Sequence, residues 1–170
     1  VRRHEILRTV FPAKDGRPVQ VIVPALPLTL PVVDLRAIPD NIREAEVQQR
    51  ATAESRQSFD LAQGPLWSLK LLRLADEEHV FLLNMHHIVF DGWSFDVFFR
   101  ELTALYTAFS TGKLSPLPAL PLQYSDFALW QRRWLQGAIL EAELAYWKQQ
   151  LDGHLPVLAL PTDRPRPPLQ

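Results

Sequence analysis

Apolar and polar positions change period several times along the chain, and each change predicts an element. Ile6 to Phe11 and Val19 to Val23 are apolar runs on either side of Lys14-Asp15-Gly16, the pattern of a β-hairpin. Glu44 to Phe59 is mostly polar with a narrow apolar stripe and predicts a helix. Leu66 to Leu74 and His79 to Met85 predict two strands. The polar link Ala75-Asp76-Glu77-Glu78 is short enough to make them antiparallel neighbours. In the second of these strands Val80, Leu82 and Asn84 share one face and Phe81, Leu83 and Met85 the other. Both faces are largely apolar, so the strand is expected to be central and buried. From Trp93 to Ser110, Phe95, Phe98, Leu102, Leu105 and Phe109 recur at helical spacing, with Gly112 as terminator. Two more helices follow. Gln123 to Gln136 carries Phe127, Trp130 and Trp134 as a packing stripe, and Ile139 to Leu151 ends before Gly153. This mixture predicts an α/β fold, a two-layer sandwich of a mixed sheet with helices on one face.

Proline marks the connections. Pro24, Pro27, Pro31 and Pro39 interrupt one stretch, Pro116, Pro118 and Pro121 a second, and Pro161, Pro165, Pro167 and Pro168 the C-terminus. The expected division is a globular part over residues 1–160 and an extended proline-rich linker over 161–170. A start at Val1-Arg2-Arg3-His4, without Met, is expected of a piece of a longer polypeptide. At 170 residues, 47% of them apolar and 22% charged, the chain has the length of one domain and is not disordered in composition. Lys and Arg number 18 against 19 Asp and Glu, which excludes a broad electrostatic footprint for nucleic acid. With no cysteine, disulfides, thiolate zinc sites and a Cys nucleophile are excluded. No apolar run is long enough to span a membrane.

Candidate chemistry is concentrated where the second strand runs into the long helix. His86 and His87 close the strand, and the chain turns through Phe90-Asp91-Gly92. Successive strand residues point to opposite faces, so the two imidazoles are placed for different jobs rather than for one metal. Histidine suits proton transfer near neutral pH. Each residue also has a structural role open to it. A strand-end His is commonly hydrogen-bonded, Asp91 is well placed as a helix N-cap, and Gly92 permits a tight turn.

His86-His87-x-x-x-Asp91-Gly92 resembles the signature of the condensation domains of nonribosomal peptide synthetases and their chloramphenicol acetyltransferase-like relatives. The longer string Met85 to Ser94, with Trp93-Ser94 after the glycine, resembles the peptide-bond-forming branch more than the epimerising or heterocyclising ones. Arg3 to Phe11, Tyr124 to Trp130 and Leu160 to Pro167 resemble further motifs of the family, in the same order. The likeness covers essentially the whole chain. It implies a chloramphenicol acetyltransferase-like fold and, from the length, the N-terminal lobe of a two-lobe domain whose active site is a tunnel between the lobes. It also implies amide-bond formation between a donor acyl or peptidyl thioester and an acceptor aminoacyl group. Both substrates ride on phosphopantetheine arms of carrier proteins, so the domain itself binds no cofactor and no metal. Partners implied are upstream and downstream peptidyl carrier domains, the missing C-terminal lobe and an adjacent adenylation domain, in the cytoplasm, with no nucleic acid and no membrane.

Carried over by position, the resemblance makes His87 the residue facing the acceptor amine and His86 a structural neighbour. Asp91 would hold an Arg in an ion pair, with Arg3 and Arg8 as partners on offer, and Gly92 would let the backbone approach substrate. Trp93 and Ser94 would line the tunnel, with ordinary core the other role open to Trp93. An isolated single lobe is expected to be inactive. An ester-forming variant, and a non-catalytic lobe that docks carriers or serves as a scaffold, remain as alternatives.

Overall fold

The computed structural model describes residues 1–26, 28–155, 161, 163 and 164. Apart from Pro161, Asp163 and Arg164, the linker expected at 161–170 lies outside the described residues.

Strands β1 (Thr9–Val10) and β4 (Val21–Ile22) pair antiparallel, and between them β2 (Ala13–Lys14) pairs with β3 (Arg17–Pro18). Asp15 and Gly16 turn the chain with φ of 51° and 73°, the left-handed backbone that a two-residue hairpin turn uses at both central positions. The expected hairpin is therefore present, but its first strand does not begin at Ile6. Glu5–Arg8 forms one 3-10 turn instead. The Arg8 carbonyl still accepts from the Val23 amide at 3.0 Å, extending the pairing, while two other carbonyls of the turn are met by side chains. Thr9 Oγ1 donates to the Glu5 carbonyl at 2.8 Å, and the Trp67 indole donates to the Leu7 carbonyl at 2.6 Å.

The main sheet is mixed. β5 (Val32–Asp34) runs parallel to β6 (Trp67–Arg73), and β7 (His79–Met85) runs antiparallel to it, in the order β5-β6-β7. Register runs from Trp67 opposite Met85 to Arg73 opposite His79. β5 lies inside the proline-rich stretch expected to be only a connector. The position expected for β7 also changes. Among the described strands β6 is central, while β7 is at an edge and half-buried. α1 (Asp40–Ser55) covers one face of the sheet, where Leu35, Val47 and Leu72 form a core joined by Val33, Val80 and Leu82. At the end of α1, Glu54 accepts from Ser68 and Lys70, each at 2.6 Å, and its carbonyl accepts from Asn84 at 2.7 Å. That network satisfies a carboxylate lying between helix and sheet.

α2 (Gly92–Ser110) follows β7, and Gly112, with φ of 69°, receives its end. Its inward positions are Phe98, Glu101, Leu105 and the buried Ala108, whereas Phe95 and Phe109 from the expected stripe are largely exposed. α3 (Tyr124–Trp134) and α4 (Gly137–Gln150) complete the elements. The chain divides into two compact units, Val1–Phe127 and Ala128–Gln170. The α3 stripe does not enter a core as expected. Phe127, Trp130 and Trp134 are about half exposed, and the two Trp rings stack at 5.5 Å with planes 6° apart. Among the described residues no helix is long and apolar enough to cross a membrane.

Candidate active site

β7 delivers two histidines into different surroundings. The His86 amide donates to the Leu66 carbonyl at 2.9 Å, so the ladder continues one residue past the strand. The ring is engaged as well. Nδ1 accepts from the Ile88 amide at 3.0 Å, and the ring meets Phe59 edge-on, with centroids 6.2 Å apart. An accepting Nδ1 places the ring hydrogen of neutral His86 on Nε2. His87 is exposed and makes no hydrogen bond to the described residues. Between the pair and α2, the buried Val89 pins the turn, its amide donating to the His86 carbonyl at 3.1 Å.

Asp91 is the N-cap of α2. Its Oδ1 accepts from the Ser94 amide at 3.0 Å and from Ser94 Oγ at 2.6 Å, and Ser94 Oγ accepts from the Asp91 amide at 3.2 Å. This reciprocal box satisfies donors that an open helix start leaves free. The Ser94 hydroxyl and amide hold the Asp91 carboxyl below the usual carboxylate range against a small opposing effect of burial, and a charge on His87 pulls the same way.

The ion pair expected between Asp91 and Arg3 or Arg8 does not form. Arg3 Nε donates to both oxygens of Glu101 at 3.0 Å, and Arg8 Nη2 donates to Glu5 at 2.7 Å. Asp91 sits exposed at the helix tip with its cap already made. Glu101 lies inward, deeper along α2, and takes the guanidinium and also His4 Nε2 at 2.6 Å. Gly92 is the first residue of α2. It has no left-handed backbone, and nothing lies within 4 Å of where a side chain would begin. Local folding therefore does not call for glycine there. Trp93 is 85% exposed, so it is not core. Ser94 is taken up by the cap.

Trp93 and Ser94 border a groove of about 350 Å³ between the inner side of α2 and residues 1–7, with Ile6, Phe90 and Leu105 among its apolar walls. Its polar end is Arg3, His4 and Glu101. Burial pushes the Glu101 carboxyl up, but hydrogen bonds and charge from His4 and Arg3 outweigh it, and the group is held below its ordinary range. Gln123 adds a clamp just before α3, its side chain donating to the Arg3 carbonyl at 3.0 Å and accepting from the Glu5 amide at 3.1 Å. Neither Glu101 nor Gln123 stands out in the sequence. The available signal is a carboxylate among the apolar inward positions of a helix, with Arg3-His4 elsewhere to meet it.

A family model described as Condensation domain matches residues 1–170. The chain belongs to the condensation-domain family. It is 53% identical over its whole length to one of the linear gramicidin synthase polypeptides of Brevibacillus parabrevis, of which it spans 2%. It is 49% identical over 98% of its length to phosphinothricin tripeptide synthetase PhsC of Streptomyces viridochromogenes, of which it spans 15%. Among solved structures it resembles the X-domain in the complex with OxyB from teicoplanin biosynthesis. The TM-score is 0.82 and the identity 34%, over 97% of this chain and 36% of that one. The chain thus corresponds to a small part of these synthetases and about a third of the solved chain. Its fold, a mixed sheet with helices, is that of part of a condensation domain.

Proposed function

We propose that the chain is the N-terminal lobe of a condensation domain within a peptide synthetase, and that the whole domain transfers an acyl or peptidyl group between two carrier proteins. The acceptor's neutral amine nitrogen attacks the donor thioester carbonyl. The C–N bond forms, the C–S bond breaks, the donor arm leaves as a thiol, and the amine gives up a proton. His87 is the group that takes or steadies that proton. The donor arrives activated, so the protein needs no nucleophile of its own. The observation that carries this reading is the contrast within the pair. His86 is held by Ile88 and Phe59, while His87 stands open to solvent with its ring uncommitted.

Asp91 and Ser94 fix the start of α2 just beyond the turn that carries His87, and the open space at Gly92 leaves room for an approaching substrate arm. The partners in this reading are two carrier domains with their phosphopantetheine arms, a second lobe that closes the tunnel, and a neighbouring adenylation domain, all in the cytoplasm. Residues 161–170 lead toward that second lobe, and the single lobe alone has no turnover. The test uses the complete module with both carriers loaded, followed by intact mass. Appearance of the joined product on the acceptor carrier is expected. Carrier binding without transfer would favour a docking lobe, and an ester in place of an amide would favour the ester-forming variant.

A further inference from the structure

The turn that presents His87 has two ends, and both are tied to the same short segment. On one side β7 is laddered to β6, and β6 is fastened to that segment by the Trp67 indole, which donates to the Leu7 carbonyl at 2.6 Å. On the other side α2 is fastened to it by Glu101, which takes Arg3 Nε on both oxygens at 3.0 Å and His4 Nε2 at 2.6 Å. The segment is itself held. Arg3 Nη1 donates to the Pro118 carbonyl, and Gln123 brackets His4 through the backbone of Arg3 and Glu5. Residues 3–7 therefore set the spacing between the end of β7 and the start of α2. The apolar walls of the groove beside α2 fix neither its rotation nor its advance, because apolar contact is not directional. A carboxylate held by a planar guanidinium and an imidazole fixes both.

We infer that Glu101 is a positioning residue for the transfer reaction, holding α2 in register against Arg3 and His4 and so fixing where the turn places His87. This rests on the proposed role of His87. The inward position of Glu101, bonded to Arg3 and His4, supports it, since the carboxylate stays ionised where the bonds need it.

The test is Glu101→Gln in the complete synthetase module, with His87→Ala, the double variant and a core control, Val47→Ala, in parallel. Glu101→Gln keeps the shape and gives up the charge. Its single-turnover transfer rate should fall roughly ten- to hundred-fold, the scale of a displacement of about 1 Å at a reacting group. The KM for the loaded acceptor carrier should stay within about twofold. In the His87→Ala background the same change should add no further loss, because it acts through His87.

A full rate for Glu101→Gln beside a slow His87→Ala would overturn the inference and leave the proposed function standing. Additive loss in the double variant, or equal slowing by Val47→Ala, would reduce Glu101 to a structural role and overturn it too. A full rate for His87→Ala would overturn the reading beneath both. If Glu101→Gln does not fold, Arg3→Lys, which removes the two Nε bonds and keeps the charge, carries the same expectations.

Discussion

Gly92→Ala separates folding from function by sign. The substitution adds a methyl at the first residue of α2, where the backbone is not left-handed and nothing lies within 4 Å of the new carbon. Neither strain nor overlap opposes it. Alanine also narrows the freedom of the unfolded chain, an effect of about 0.4–1 kcal/mol at compatible sites. Helix propensity is felt only partly at a first turn, so about 0.5 kcal/mol of stabilisation is expected. Activity should move the other way. If substrate arms pass through that space, the methyl slows transfer roughly tenfold, and Gly92→Leu roughly hundredfold, through misplaced reacting groups. The paired assays are denaturant unfolding of the complete condensation domain and transfer between loaded carriers. A leucine variant both stable and as fast as the wild type would refute the use of this space by substrate. Gly64→Ala is the contrasting case. There φ is 62°, and the added carbon would stand 2.9 Å from Cγ1 of the buried Val10. Left-handed strain and overpacking together predict a loss of about 2–5 kcal/mol.

Asp91→Ala should leave the domain folded and speed hydrogen exchange at the Ser94 amide, which loses its side-chain acceptor and keeps only the Asp91 carbonyl. Unchanged exchange there would contradict the capping assignment. Trp67→Phe leaves the Leu7 carbonyl without its indole donor and should cost about 1–3 kcal/mol, read as a lower urea midpoint. An unchanged midpoint would remove that anchor. In acid, Glu54 and Glu101 both matter. Hydrogen bonds from Lys70 and then Ser68 hold Glu54 below its ordinary range. At Glu101 burial pushes upward, and the bonds from His4 and Arg3 outweigh it. With folded pKa values below the unfolded ones, their stabilisation is complete above the ordinary Glu value of about 4.3 and is lost as pH falls through the lowered values. Glu54→Gln should therefore flatten the acid limb of a stability–pH profile. An acid limb as steep as the wild type's would contradict that linkage.

Local patterns were readable where one residue's neighbours in sequence decide its state. The bounds of β7, the start and stop of α2, the Asp15-Gly16 turn and the capping role open to Asp91 all follow from period and turn chemistry. β5 was hidden because its three residues gain strand character from β6, far along the chain, and prolines surround them. Ile6 and Leu7 fit either a strand or a turn, and the decision comes from the Leu7 carbonyl meeting Trp67. Among site residues, strand alternation separates His86 from His87 in the sequence, but the structure ends β7 at Met85 and carries His87 on the turn, so its different surroundings come from the turn. Nor are the partners of Arg3 and Arg8 legible in the sequence, since a guanidinium takes whichever carboxylate the fold brings, here Glu101 and Glu5 rather than Asp91. The family motifs point to the histidines and the aspartate, and only tertiary structure brings in Glu101, Gln123 and the Trp67–Leu7 tie.

The role proposed for His87 is the proton work of carrier-to-carrier transfer. It is tested most directly by single-turnover transfer in the complete module carrying His87→Ala, read by intact mass of the acceptor carrier. The expected rate is lowered roughly 10²–10⁴-fold, the range for a positioned acid–base group, with unchanged loading of both carriers. A rate equal to that of the wild type would contradict it.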